Sequence, residues 1–204
     1  DQEQNQITIF HGGAMSFAPQ VLSLRDHQYD GIGLAIIAPD APQRMVRLAR
    51  ECKELKVPYI FDPSQQLTSM SSEDLREALT GATILIGNEY EVELICKMLG
   101  LPKENLPSLV PTFIETFGAK GSSIVSPEGM FFVKAVQPGQ VVDPTGCGDA
   151  FRAGVLAGLQ LQLGIEKSCQ IGALAATYSL ENAGTQSHRH IDDVERLERP
   201  LVGL

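Results

Sequence analysis

The sequence predicts an α/β fold, a three-layer sandwich whose mainly parallel central sheet is covered on both faces by helices. Three observations predict it. From Gly31 onward, short apolar runs alternate with amphipathic stretches. The short runs are apolar throughout rather than at every second residue, as in strands buried on both faces. Polar residues, Asp62, Asn88 and Thr116, stand just after three of those runs, where ligands of parallel sheets sit.

Each element follows from its own pattern. Ile32 to Ala38 reads as a strand with apolar residues on both faces. Pro42 to Lys56 reads as a helix, with Met45, Ala49, Cys52 and Leu55 on one side and charges opposite. Pro58 to Asp62 is a second buried strand. Ser71 caps a helix through Thr80, which Gly81 closes. Thr83 to Gly87 is a third strand, followed by a helix from about Glu89 to Leu99 that Gly100 ends. Phe113 to Thr116 is a fourth strand. Ser122 to Ser126 and Met130 to Lys134 flank Pro127-Glu128-Gly129 and read as a hairpin. Two helices close the pattern, about Asp149 to Leu163 and Lys167 to Glu181. Gly154 and Gly158 lie four apart on the first of these, which predicts a close contact of that helix with the sheet.

The 204 residues suffice for one domain with a sizeable core, and 43% hydrophobic content is ordinary for a globular chain. No apolar run approaches the ~20 residues of a membrane-spanning helix. The start, Asp1 to Gln6, is polar and acidic, unlike a secretory signal, and it lacks Met, as a processed or truncated piece would. The net charge of −9 argues against a general nucleic-acid binder, which needs basic patches. It does not argue against a nucleotide site, because backbone amides bind phosphate without excess Lys or Arg. Cys52, Cys96, Cys147 and Cys169 include no C-x-x-C pair. Three of them sit in helical patterns and read as buried small apolar residues, and a reduced, cytoplasmic setting is the default. His11 and His27 lack metal-ligand spacing, and His188 and His190 read as exposed tail residues.

The segment richest in chemistry is Val141 to Gly154, with Asp143-Pro144-Thr145-Gly146-Cys147-Gly148-Asp149 at its centre. Two glycines around a small residue open a long helix. Unpaired N–H groups at a helix start, with the helix dipole behind them, make an anion site. Asp149 at the mouth of that turn is placed to accept the proton of an attacking hydroxyl. The same residues also fit a plain glycine turn with Asp149 as a helix-start acid, and Gly-x-Gly alone does not choose between the two.

The run from Asp143 to Asp149 resembles the Asp-Thr-x-Gly-Ala-Gly-Asp signature of the ribokinase/PfkB family of carbohydrate and nucleoside kinases. The resemblance implies ATP-dependent phosphoryl transfer to a hydroxyl, with Asp149 as general base. It implies that the amides of Gly146, Cys147 and Gly148 form the anion hole. Pro144 and Cys147 depart from the commonest form. Cys147 is small enough to act through its N–H, and its thiol at a helix N-terminus is expected to be reactive. Gly87-Asn88-Glu89-Tyr90-Glu91 resembles the family's Asn-x-x-Glu motif, which implies that Asn88 and Glu91 help hold Mg2+ and phosphate through water. Asn with Glu three residues on is equally a capping box, and both roles can hold at once. Thr116-Phe117-Gly118-Ala119-Lys120-Gly121 resembles the Thr-x-Gly-x-x-Gly segment along the nucleotide, implying that Thr116, Gly118 and Gly121 contact it. Phe117 stands where the family often has a basic or aliphatic residue, and Glu115 is unusual within a strand. The Glu181–Arg189 region corresponds to the border of the adenine pocket and to a monovalent-cation site, here K+, shared with Asp143 and Thr145. The resemblance implies that Asn182 is its nucleotide-side residue, and Asn182 or Gly184 as a helix C-cap is at least as good a reading of either alone.

The resemblance runs from Asn5 to about Arg189. Asn5 to Met15, Asp143 to Gly154 and Gly184 to Arg189 look like bacterial members described as adenosine-kinase-like. A nucleoside or sugar is therefore the implied small-molecule substrate, with no nucleic-acid or membrane partner. Nothing matches the family's N-terminal third, the first strand and the lid sheet. Residues 1–204 are thus expected to form one ribokinase-like domain, incomplete at its N-terminus, with much of the substrate pocket missing. Family dimers form through the lid, so a homodimer is not implied for a chain without it. A non-catalytic nucleotide-binding fragment and a ribokinase/fructokinase-type sugar kinase remain the alternatives. A dehydrogenase would need Gly-x-Gly-x-x-Gly after a strand, and a P-loop kinase Gly-x-x-x-x-Gly-Lys-Ser/Thr; both are absent.

Overall fold

The computed structural model describes residues 11–17, 23–26 and 32–186. Most of the Asn5–Met15 stretch, and His27, His188, Arg189 and His190, lie outside the described residues. Within these, one sheet runs in chain order: β1 (Ala35–Ile37), β2 (Tyr59–Phe61), β3 (Ile84–Asn88), β4 (Thr112–Thr116), β5 (Ser122–Ser126) and β6 (Gly129–Val133). The first four strands are parallel, and β5 and β6 are antiparallel. The helices are α1 (Pro42–Leu55), α2 (Ser72–Leu79), α3 (Glu89–Leu99), α4 (Cys147–Gln160) and α5 (Ile165–Leu180).

Strand alternation divides the core in two. Tyr59, Phe61, Leu85 and Phe113 face a cluster with Met45, Leu75 and Ile95 from α1, α2 and α3. Ile60, Ile84, Ile86 and Ile114 face the opposite way, onto Phe151 and Val155 of α4 and Cys169 of α5. Both faces are dry, which is why the strands read as continuous apolar runs.

Helix ends follow the sequence closely. The Ser71 side chain accepts the Asp74 N–H at 3.1 Å, and Gly100 ends α3 in the left-handed region. β1 is shorter than the expected Ile32 to Ala38. Its ladder starts where the Ala35 N–H meets the Pro58 carbonyl, and prolines at 39, 58 and 63 supply no N–H to extend either β1 or β2. α4 begins at Cys147, not Asp149, because Gly146 takes the N-cap at φ 86° and the helix starts at once. The short 3-10 turns Ser64–Ser69 and Lys103–Ser108 were not foreseen. They lack the span that makes periodicity visible.

Gly154 and Gly158 correct another expectation. Their close contact is with the neighbouring helix, not the sheet. A Cβ on Gly154 would stand 2.7 Å from Gly172 Cα, and one on Gly158 would stand 2.6 Å from Ser168 Cα. α4 and α5 therefore meet backbone to backbone. Gly154→Val should destabilise by about 3 kcal/mol, since overpacking against rigid backbone outweighs the ~1 kcal/mol of lost glycine flexibility. A urea midpoint equal to wild type would show that the helices separate freely.

Candidate active site at the carboxyl rim of the sheet

Because β1 to β4 are parallel, their carboxyl ends share one rim. Asn88 and Thr116 close β3 and β4 as registered neighbours. Asp62 follows β2, its N–H bonded to the Ile37 carbonyl of β1 at 3.0 Å. The expected alignment of Asn88 and Thr116 is thus a consequence of strand direction alone.

Asn88 and Glu91 form the full capping box of α3. Asn88 Oδ1 accepts the Glu91 N–H at 2.9 Å, and Glu91 Oε2 accepts the Asn88 N–H at 2.8 Å. Glu91 is buried and Asn88 exposed. Each side chain has one atom committed to the cap and one remaining, so capping leaves a hydrated metal acceptable there. Among the described residues, no group of three or more His, Cys, Asp or Glu could hold a metal by itself.

α4 opens without a side-chain cap. Its first-turn amides lack intrahelical acceptors by geometry and lie behind the positive end of the dipole. Gly148 and Asp149 are exposed there. The Cys147 N–H departs from the expected donor set, because it points to the Pro144 carbonyl at 3.3 Å. An anion would have to displace that long bond. The Cys147 thiol also departs from expectation: burial raises its pKa, so it stays protonated rather than becoming a reactive thiolate.

The turn before α4 is tied to the end of α5. Asp143 accepts the Thr145 N–H at 2.9 Å and the Gly184 N–H at 3.0 Å, and these bonds lower its pKa. A Cβ on Gly146 would stand 3.0 Å from Thr185 Cγ2. Asn182 donates to the Tyr178 carbonyl at 2.8 Å, the helix-ending role its sequence also suggested. The two segments expected to share a cation and adenine border are therefore adjacent. On the far side of the rim, Gly118 and Gly121 turn β4 into β5 with φ of 56° and 114°. Glu115, odd within a strand, is buried in an ion pair with Lys103, whose ammonium also lies 5.9 Å from the Phe117 ring centroid. The two unusual residues of this segment thus share one lysine.

One buried charge pair on the rim escaped the sequence reading. Asp62, 1% exposed, accepts Arg152 Nη2 at 2.8 Å, and Arg152 Nε pairs with its other carboxylate oxygen. Only Asp62 had been placed on the rim; Arg152 stood unremarked three residues past Asp149. No local signal links positions 62 and 152, although an arginine near the start of an otherwise apolar helix is the kind of charge that needs a partner. Burial pushes Asp62 up to about 6 against the pull of Arg152, with Glu91 and Asp149 raising it further. A carboxyl raised on folding from 3.8 stabilises the fold fully below its unfolded pKa and loses that stability as pH rises through about 6. Urea midpoints should therefore fall as pH rises from 4 to 6. Asp62→Asn should flatten that window. Asp143, lowered instead, acts below it. A wild-type midpoint that climbs from pH 4 to 6 relative to Asp62→Asn would contradict this.

The mainly parallel sheet, with an uncapped glycine-rich helix start beside a carboxylate on its rim, is a ribokinase-like fold. Solved structures agree. The chain superimposes on the Burkholderia thailandensis nucleoside kinase in complex with ADP-inosine with a TM-score of 0.85 and 35% identity, covering 90% of this chain and 57% of that one. The signature of the pfkB family carbohydrate kinases matches residues 1–191, and the chain belongs to that family. It is 31% identical to the nucleoside kinase of Methanocaldococcus jannaschii over 204 residues, 99% of this chain and 66% of that protein. It is 29% identical to the adenosine kinase of Saccharomyces cerevisiae over 163 residues, 72% of this chain and 47% of that protein. The chain thus spans less than two thirds of the length of each of these relatives. No helix among the described residues is long and apolar enough to cross a membrane.

Proposed function

We propose that the protein carrying this chain transfers the γ-phosphoryl group of ATP to a hydroxyl of a nucleoside, with Asp149 as general base. The observation that carries this reading is an exposed carboxylate in the uncapped first turn of α4, electrostatically coupled to Asp62 on the strand rim. Asp149 takes the hydroxyl proton, the freed oxygen bonds to the γ-phosphorus, and the bond to the bridging oxygen breaks to release ADP. The amides of Gly146 and Gly148 meet the negative charge that spreads over the phosphoryl oxygens, with the Cys147 amide joining once its bond to Pro144 opens. Thr116, Gly118 and Gly121 line the nucleotide, and Asn182 borders its base. Asn88 and Glu91 hold Mg2+ through water. Mg2+ neutralises phosphate charge when bound. K+ is assigned to the turn of Asp143 and Thr145 that Gly184 closes.

A nucleoside acceptor is favoured over a free sugar because nucleoside and adenosine kinases are the relatives named above. The direct test is ADP release from Mg-ATP by the full protein with adenosine, inosine, ribose and fructose. Release that requires a nucleoside supports the reading. Release with ribose or fructose alone would make it a sugar kinase. ADP binding without release on any acceptor would mark a non-catalytic nucleotide binder.

A further inference from the structure

We propose that Arg152 is a positioning residue for phosphoryl transfer, clamped by Asp62 so that its remaining nitrogen stands over the amide start of α4. The inference rests on the kinase reading above.

Asp62 accepts one hydrogen bond, from Nη2, and its other oxygen stands in ion-pair contact with Nε, which makes no hydrogen bond. The hydrogen bond and the charge contact to one buried carboxylate together hold the group in place. The third nitrogen, Nη1, lies 2.6 Å from where a Cβ on Gly148 would stand. An arginine tip normally swings away from such a crowding atom. Here Asp62, 1% exposed, holds it in place, so the guanidinium requires glycine at 148. Gly148 and Arg152 are one helical turn apart on α4. One side chain therefore ties the end of β2 to the turn that carries Asp149.

The charge pattern gives this tie a second consequence. Asp62 feels the negative charges of Glu91 and Asp149 as well as the positive charge of Arg152. Three carboxylates without a cation would repel a phosphate. The Arg152 side chain is only 15% exposed, so solvent screens it weakly. It supplies fixed positive charge beside Gly148, and the pair with Asp62 keeps that charge aimed.

An ordinary buried ion pair predicts something different. It would act on stability alone, and replacing both members by neutral partners would restore function. The test compares wild type, Arg152→Gln, Arg152→Lys and the double variant Asp62→Asn/Arg152→Gln in the full protein. The double variant leaves no buried unpaired charge and keeps the experiment valid if Arg152→Gln fails to fold. Steady-state ADP release gives kcat and the nucleoside KM, calorimetry gives ATP and ADP affinities, and circular dichroism confirms folding. The expected result is a folded double variant whose kcat falls roughly 10²-fold with an unchanged nucleoside KM, and which loses more affinity for ATP than for ADP. Arg152→Lys should recover only part of the rate, because a compact ammonium cannot hold Asp62 and stand beside Gly148 at once. A folded double variant with wild-type kcat overturns the inference and leaves the kinase reading intact. A wild-type protein that releases no ADP with any acceptor removes the kinase reading and this inference together.

Discussion

Asp149→Asn is expected to cut kcat by about 10²- to 10⁴-fold, the usual contribution of a positioned general base, or roughly 3 to 5 kcal/mol of barrier. Asparagine keeps the size and the exposed position but cannot take the proton. Nucleotide affinity should hold or rise slightly, because a negative charge beside the phosphate site disappears. Folding should change little. A helix-start acid contributes about 0.3–1 kcal/mol through the dipole, and removing Asp149 also relieves its repulsion of Asp62. The plain-turn reading of the same residues predicts the reverse pattern, a small loss of stability with an unchanged rate. Single-turnover phosphoryl transfer with ADP affinity measured alongside separates the two. A variant that keeps wild-type kcat excludes Asp149 as the base.

What the sequence could announce was whatever local pattern encodes. The dry strands announced themselves because both faces are covered, and the ends of α3 because Asn88, Glu91 and Gly100 are each a local cap. The rim position of Asn88 and Thr116 followed from parallel strands without any tertiary detail. Most of the misses are tertiary, and the rest lie in short turns. Two glycines four apart on α4 specify a close neighbour but not which one, and α5 rather than the sheet took that place. The protonated Cys147 thiol depends on burial that no helix-start rule foresees. The Pro144 carbonyl that claims the Cys147 amide is set by turn geometry. The Asp62–Arg152 pair joins residues 90 positions apart. Glu115 looked anomalous because its partner Lys103 lies in a 3-10 turn without a periodic signature.

Gly121→Ala should be the most damaging glycine-to-alanine change among the described residues. Gly121 sits at φ 114°, and a Cβ there would stand 2.1 Å from the Val133 carbonyl oxygen, with Lys134 Cα at 2.9 Å. Both obstacles are backbone, so no rotamer change relieves them. Alanine at this φ adds its own conformational cost. β6 pairs with β5 along its whole length, so Val133 cannot retreat without breaking the Ser122 end of that ladder. The Gly121 carbonyl also accepts the Phe117 N–H at 2.8 Å, a bond that closes the turn after Thr116. Destabilisation above ~4 kcal/mol is expected, a large share of the ~5–15 kcal/mol typical of a whole domain. The same distortion should move the Thr116–Gly121 turn, so protein that remains folded should bind ADP more weakly. Gly118→Ala is the matched control. Gly118 is also at positive φ, but a Cβ there meets nothing within 4 Å. It should cost only the conformational strain of about 1 kcal/mol. Thermal unfolding of the pair isolates steric exclusion from backbone strain. Equal shifts for the two variants would mean that the Val133 contact yields and that strain alone fixes the turn.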